Sequence, residues 1–193
     1  MSAGRLQRPA DDDYYIAPWS DTFLQGDLFK EVPFALPAPP DAVVIDEGER
    51  RFVSGPFDAT NAMLISPSCA IAAQGSNVGQ GTYAHPARTL VPVRSVASLI
   101  TAGVLTRDNL GHLRADRLRN YVYLPAGPAG PESAALLHMP ITMHHAVIAD
   151  NRIAQLTGTA FWHLRVKLMA FIGGFQLDVS ELGDVPAPTD RKS

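Results

Sequence analysis

The sequence predicts an α+β protein with a curved antiparallel sheet, a packing helix near the C-terminus and short helical insertions before it. Proline and glycine number 16 and 15 among 193 residues, which favours short strands joined by many turns over a bundle of helices. Apolar residues mostly recur with a period of two, and the longest apolar stripe at helical spacing lies near the C-terminus. The length matches one ordinary domain.

Charge and composition exclude several classes of protein. Sixteen basic and 19 acidic residues give a net charge of −3, so no global field favours nucleic acid or a membrane surface, and a histone-like binder is excluded. The single cysteine cannot form an internal disulfide, and the start shows no secretory signal pattern, so we expect a cytoplasmic protein. The longest uncharged apolar stretch, residues 168–175, is too short for a membrane span.

Composition also predicts the domain organisation. We expect a mobile N-terminal arm over residues 1–20, a single globular domain over 21–179 and a disordered tail over 180–193. Three aromatic residues at the inner end of the arm are costly to leave in water, and we expect them to dock on the domain as a clasp. These residues are Tyr14, Tyr15 and Trp19.

Two features predict strands in the first third of the chain. Residues 22–32 form a predicted strand that Gly26 interrupts and that Pro33 ends, because proline has no N–H to donate to a sheet. Residues 42–45 and 51–53 then predict a hairpin, which turns at the sequence Asp-Glu-Gly-Glu between them.

The centre of the predicted sheet is residues 62–66, because this continuous apolar run is typical of a strand buried on both faces. Residues 89–93 form a further strand, for which Pro92 favours an edge position or a bulge. Three more strands are predicted at residues 121–124, 134–139 and 141–148.

Two short helices are predicted between these strands. Residues 95–101 carry apolar side chains at helical spacing and are closed by Gly103. Residues 107–119 follow, with Thr106 as the N-cap.

The clearest helix begins after Thr157 or Thr159 and ends at the Gly173-Gly174 pair. Its apolar stripe, expected to pack on the sheet, consists of Ala160, Phe161, Leu164, Leu168, Phe171 and Ile172. The polar residues His163, Arg165 and Lys167 fall outside this stripe.

Three polar features offer candidate chemistry of low specificity. The sequence GSNVGQG at residues 75–81 lacks the lysine and hydroxyl of a phosphate-binding P-loop, which favours a mobile loop. Cys69 follows the central strand, with His85 as a conceivable partner, yet a lone cysteine is more typical of a core. His138, His144 and His145 do not predict a metal site, because adjacent strand residues point to opposite faces. We therefore expect no metal and no cofactor.

One segment is locally basic in a chain that is acidic overall. Its cations are offset by Asp108 and Asp116, and the segment fits either phosphate contact or a solvated helix face. The candidate RNA-binding residues here are Arg107, Arg114, Arg117 and Arg119.

The order of three motifs resembles the PemK/MazF-like toxins. These motifs are Gly26-Asp27 in the first strand, the buried strand that ends in Ser66, and the Val-Pro-Val-x-Ser pattern of residues 91–95. The resemblance implies an SH3-like β-barrel over residues 22–95, often dimeric, in a toxin-like RNA-binding protein. It also implies metal-independent endoribonuclease activity on single-stranded RNA and an antitoxin-like protein partner.

The resemblance also implies the site. The family's Thr/Ser pair falls on Arg94 and Ser95, which are the expected catalytic residues, while its Arg-Pro motif falls on Thr60 and Asn61, so the usual arginine is replaced. The alternative is a non-enzymatic protein-interaction module of phage or mobile-element origin that uses the same barrel.

Overall fold

The fold is α+β, with a curled antiparallel sheet that forms a half-barrel and a long helix near the C-terminus. The computed structural model describes residues 10–16, 22–35, 44–48, 50–53, 57–67, 73–74, 82–83 and 87–174. Several predicted features lie outside these residues, namely Trp19, the loop at 75–81, Cys69, His85 and the tail at 180–193.

Twelve strands lie within the described part of the chain. They are β1 (Tyr15–Ile16), β2 (Leu28–Ala35), β3 (Val44–Glu47), β4 (Arg50–Val53), β5 (Phe57–Leu64), β6 (Ala73–Gln74), β7 (Thr82–Tyr83), β8 (Ala87–Ser95), β9 (Tyr121–Leu124), β10 (Ser133–Leu136), β11 (Ile141–His144) and β12 (Arg152–Leu156). The α-helices are α1 (Val96–Thr101), α2 (Leu110–Arg114) and α3 (Gly158–Gly173). Short 3-10 turns span Asp11–Asp13, Arg107–Asn109 and His145–Val147.

Eight strands form the main sheet, in the order β1-β12-β2-β5-β8-β10-β9, with β11 also paired to β8. The sheet curls far enough for two tyrosine side chains, at and beside the edge strand β1, to reach the other edge at β9. The Tyr14 hydroxyl donates to the Tyr123 carbonyl in β9, and the Tyr15 hydroxyl donates to the Pro125 carbonyl just beyond it, both at 3.0 Å. Tyr14 is fully buried, so the expected docking of these two tyrosines is confirmed.

Strand β5 lies at the centre, as the sequence predicts. It pairs with β2 on one side and β8 on the other. Met63 packs into the inner core between the sheet and α3, while Ala62 and Leu64 pack into a second cluster on the opposite face. All three residues are fully buried. The predicted hairpin at 42–53 is also confirmed, as the separate β3-β4 pair.

Two predictions based on proline are wrong. Strand β2 continues through Pro33, because β12 pairs with β2 only as far as Phe29 and leaves that side of Pro33 without a described partner strand. Strand β8 is central, with Pro92 opposite Ala62 of β5. On the other side of β8, β10 pairs up to Val93 and β11 pairs from Leu90, so Pro92 faces the gap between them.

The boundaries of several later elements differ from the prediction. The predicted strand at 141–148 ends at His144 and gives way to a 3-10 turn, and β1 and β12 were not predicted. The predicted helix at 107–119 stops at Arg114, and Thr106 makes no side-chain cap bond. Helix α1 is confirmed, with the Ser95 hydroxyl as its cap acceptor.

Helix α3 begins and ends where the sequence predicts. The Thr157 hydroxyl accepts from the Ala160 N–H, and Gly174 takes the left-handed conformation with φ of 76°. The buried face differs from the predicted stripe, because His163 and Lys167 are buried whereas Ile172 is 81% exposed. Within the described residues, no helix has the length and apolar character needed to cross a membrane.

Candidate functional site

An open cleft of about 340 Å³ lies where β5 and β8 stop pairing, beside the start of α1. The last residues paired between the two strands are Asn61 and Val93, although both strands extend beyond that point. The cleft is lined by Ala59, Thr60, Asn61, Val93, Arg94, Ser95, Ser98, Ala129, Pro131 and Ser133. The two expected catalytic residues and the two residues in the Arg-Pro position therefore line the same cleft.

Arg94 forms an ion pair with Asp58. Nη2 of Arg94 donates to Oδ2 of Asp58, and the two side chains keep 35% and 39% of their surface exposed. The residues lie 36 positions apart in the sequence and meet because their strands are neighbours in the sheet. The guanidinium thus carries a carboxylate partner and remains accessible to solvent.

The Ser95 hydroxyl caps helix α1, whereas the neighbouring Arg94 forms the ion pair with Asp58. The Ser95 hydroxyl accepts from the Ser98 N–H at 3.1 Å, and the Ser98 hydroxyl donates to the Ser95 carbonyl at 2.8 Å. These two bonds start α1 directly at the edge of the cleft. Adjacent residues of a strand point to opposite faces, and accordingly the contacts of Arg94 and Ser95 are separate.

The remaining polar lining holds the wall of the cleft in place. The Thr60 hydroxyl donates to the Val93 carbonyl at 3.1 Å and ties β5 to β8. The Asn61 amide donates to the Ala129 carbonyl at 2.9 Å, which fixes the loop between β9 and β10 against the sheet. Thr60 and Asn61 therefore act as structural links where the resemblance expects an arginine and a proline.

Two of the four candidate RNA-binding arginines, Arg114 and Arg119, have described hydrogen-bond partners. Arg114 forms a two-point ion pair with Glu132, at 2.6 and 2.9 Å, and this carboxylate raises the pKa of Arg114 above its ordinary value. Glu132 lies between the lining residues Pro131 and Ser133 in the sequence, but neither Glu132 nor Arg114 is among the residues that line the cleft.

The other three arginines of this segment are all exposed. Nη2 of Arg119 donates to the Phe171 carbonyl at 3.1 Å, near the C-terminal end of α3. Arg107 lies on an exposed 3-10 turn, and Arg117 is exposed after α2.

Gly26 and Asp27, the first motif of the resemblance, serve the fold. Gly26 has a φ of 97°, and a Cβ there would lie 2.6 Å from Leu156. The fully buried Asp27 carboxylate accepts from the Leu24 N–H at 2.9 Å and from Arg152 and Gln155 at 3.1 Å each. Burial raises the pKa of Asp27, and these donors partly offset the shift.

Sequence reasoning missed a buried network around Asp116. Its carboxylate accepts from the Tyr123 N–H at 3.1 Å and lies 3.3 Å from Nδ1 of His163, while its carbonyl accepts from Nζ of Lys167. Burial lowers the pKa of Lys167, and the nearby Asp116 carboxylate counteracts the shift. This network joins the end of α2, strand β9 and helix α3. The one local signal is a helix with histidine and lysine four residues apart.

The expectation that His144 and His145 point to opposite faces is wrong, because His144 ends β11 and His145 begins a 3-10 turn, which brings the two rings together. His144 accepts from the Ala146 N–H at 3.2 Å and stacks on His145, with ring centres 4.7 Å apart. His138 packs its ring edge against Tyr121. Among the residues that the structure describes, no group of three or more His, Cys, Asp or Glu side chains could hold a metal ion.

The environment of His145 predicts a loss of stability in mild acid. Burial, His144 and Arg88 lower the pKa of His145 below 6.5. The unfolded chain then binds a proton more readily than the folded protein does, so stability falls as the pH drops from 6.5 through the lowered pKa. We expect the free energy of unfolding to decrease less between about pH 7 and about pH 5 in His145→Gln than in wild type.

Urea unfolding at the two pH values measures this difference. His112→Gln, on the exposed side of α2, is the control and should follow wild type. Parallel losses in wild type and His145→Gln would contradict the assignment to His145.

The chain matches no protein-family model and no curated protein sequence. The PemK/MazF resemblance, the catalytic roles of Arg94 and Ser95 and the antitoxin-like partner therefore stay predictions.

Proposed function

We propose that this protein binds single-stranded RNA, and that the cleft between β5, β8 and the β9-β10 loop contacts the phosphate backbone. The observation that carries the proposal is the convergence of Arg94, Ser95, Thr60 and Asn61 on that cleft. These four residues come from the two strands in which the resemblance expects the RNA site, and the two pairs are separated by more than 30 positions in the chain.

The chemistry of the cleft supports a phosphodiester ligand. Guanidinium and hydroxyl groups are usual donors to phosphate and sugar oxygens. Arg94 and Ser95 bring one of each to the cleft, whereas the Thr60 hydroxyl and the Asn61 amide donate to backbone carbonyls. Because the net charge is −3, attraction to RNA has to come from such a local arrangement.

The proposal is limited to binding because of the lining residues. Cleavage of RNA by the 2′-hydroxyl requires groups that move protons, and the ten residues that line the cleft include no histidine and no carboxylate. The Ser95 hydroxyl already caps α1. The toxin-like endoribonuclease activity is therefore tested separately, by examining the RNA for products after incubation.

A salt titration of RNA binding tests the function. We expect wild type to bind a labelled mixed-sequence single-stranded RNA with an affinity that falls as salt rises. Arg94→Gln should bind more weakly, and the slope of log affinity against log salt should flatten by about 0.7 for each phosphate that the variant no longer neutralises. Fluorescence anisotropy gives both quantities.

Arg165→Gln is the matched control, because it removes one charge from the exposed side of α3, and Arg165 does not line the cleft. It should keep the wild-type slope. An equal loss in both variants would mean that binding follows net charge rather than the cleft. Absence of salt-dependent binding in wild type would overturn the RNA proposal and favour the alternative, a protein-interaction module.

A further inference from the structure

The Asp58–Arg94 pair puts an anion on the guanidinium that RNA would use. Asp58 lies opposite Phe34 of β2, on the sheet face away from α3. Two positions along β5 and on the same face of the strand comes Thr60, a cleft residue. The carboxylate is held beside Arg94 by the pairing of β2, β5 and β8 and so is built into the sheet.

This pair is poorly suited to a role in folding. Both side chains are more than a third exposed, and ion pairs at that exposure contribute little to stability. By contrast, the buried Arg152–Asp27 pair has 8% and 0% exposure and joins β12 to the turn before β2. Exposure instead leaves the Arg94 guanidinium available for exchange of one anion for another.

We propose that Asp58 is an internal competitor that sets the affinity of the cleft for phosphate. The inference rests on the proposed function and deepens it. In the free protein the Asp58 carboxylate occupies Arg94, and an RNA phosphate binds by displacing it. The competitor weakens binding to any single phosphate and favours a ligand that supplies several phosphates along one chain.

Competition of this kind predicts the effect of removing the carboxylate. An exposed ion pair changes the equilibrium between the paired and the separated side chains by a factor of up to about five. Asp58→Asn keeps the size of the side chain and removes its charge, so we expect RNA to bind about two- to fivefold more tightly at low salt. The gain should shrink as salt rises.

The experiment measures binding of the same labelled RNA to the full chain. Its variants are Asp58→Asn, Asp108→Asn, Arg94→Gln and the Asp58→Asn/Arg94→Gln double variant. Asp108 lies on an exposed 3-10 turn, so Asp108→Asn makes the same change in net charge elsewhere. Asp58→Ser is a second test variant, and thermal melts confirm that each protein is folded.

The competitor model expects Asp58→Asn and Asp58→Ser to tighten binding, Asp108→Asn to leave it near wild type, and Asp58→Asn to have no effect without Arg94. Equal gains in Asp58→Asn and Asp108→Asn would overturn it, since the effect would then be one of net charge. A gain that persists in the Arg94→Gln background would also overturn it.

The outcome for the proposed function is separate. If wild type binds RNA and Asp58→Asn binds no better, the competitor is overturned and the RNA site stands. If neither binds RNA, both ideas are overturned. If RNA binds only to Asp58→Asn, the carboxylate blocks the site in the free protein, which supports the competitor.

Discussion

Replacing Asp116 by alanine is expected to lower the free energy of unfolding by about 3–5 kcal/mol, which is the usual cost of removing one partner from a buried charged network. Asp116 is 1% exposed, and its partners His163 and Lys167 are 2% and 5% exposed. Without the carboxylate, the Tyr123 N–H loses its acceptor in a buried site. Lys167 also loses the nearby negative charge that favours its protonated form in a buried site.

The backbone adds to the cost of the alanine. Asp116 has a φ of 52°, a left-handed conformation that aspartate and asparagine tolerate better than alanine does. Two further variants separate these effects. Asp116→Asn keeps an acceptor and the tolerance for positive φ, so it should lose less stability than Asp116→Ala. Asp116→Gly also lacks the side chain, but glycine adopts a positive φ without strain. The difference in stability between Asp116→Gly and Asp116→Ala therefore reports the backbone strain.

Urea unfolding measures each of these free energies. The exposed Asp108 provides the control, because Asp108→Ala should change stability by less than about 0.5 kcal/mol. If Asp116→Ala were as stable as Asp108→Ala, the network would contribute nothing to holding α2, β9 and α3 together.

This network also marks the limit of what local sequence pattern can predict. A period of 3.6 residues assigns polar residues of α3 to the solvent, and that rule fails at Lys167 because its partner lies 51 positions earlier. The caps of the same helix are local signals, and both Thr157 and Gly174 act as predicted. Local signals thus located the ends of α3 but not the whole of its buried face.

Prolines show the same division between local and long-range causes. The rule that proline avoids central strands follows from its missing N–H. Pro92 escapes the rule because β10 and β11 approach β8 from either side and leave a gap at that position. Neither strand is adjacent to β8 in the sequence, so this exception depends on the assembled sheet.

For the candidate site, the sequence indicated residues that line the cleft but did not indicate which residues they contact. The Val-Pro-Val-x-Ser pattern led to Arg94 and Ser95, and both line a cleft. The partner of Arg94 could not be predicted, because Asp58 reaches it through the neighbouring strand. The basic segment gave four candidates, and none of them is among the residues that line the cleft.

Leu164→Ala is expected to cost about 2–5 kcal/mol, the range for truncating a fully buried leucine. Leu164 is completely buried in the inner core, together with Tyr14 and Leu156. The alanine would leave a cavity between α3 and the sheet at the point where Gly26 allows the chain to pass closely. The tight packing there leaves little freedom for neighbours to fill the space.

Ile172→Ala is the matched control, since both residues belong to the apolar stripe that the sequence predicts for this helix. Ile172 is 81% exposed, so its truncation should change the free energy of unfolding by less than about 0.5 kcal/mol. Equal losses in the two variants would mean that the C-terminal end of α3 is covered in solution. A small loss for Leu164→Ala would instead show that α3 packs on the sheet through another face, because truncating a fully buried leucine removes the dispersion attraction between its methyl groups and their neighbours.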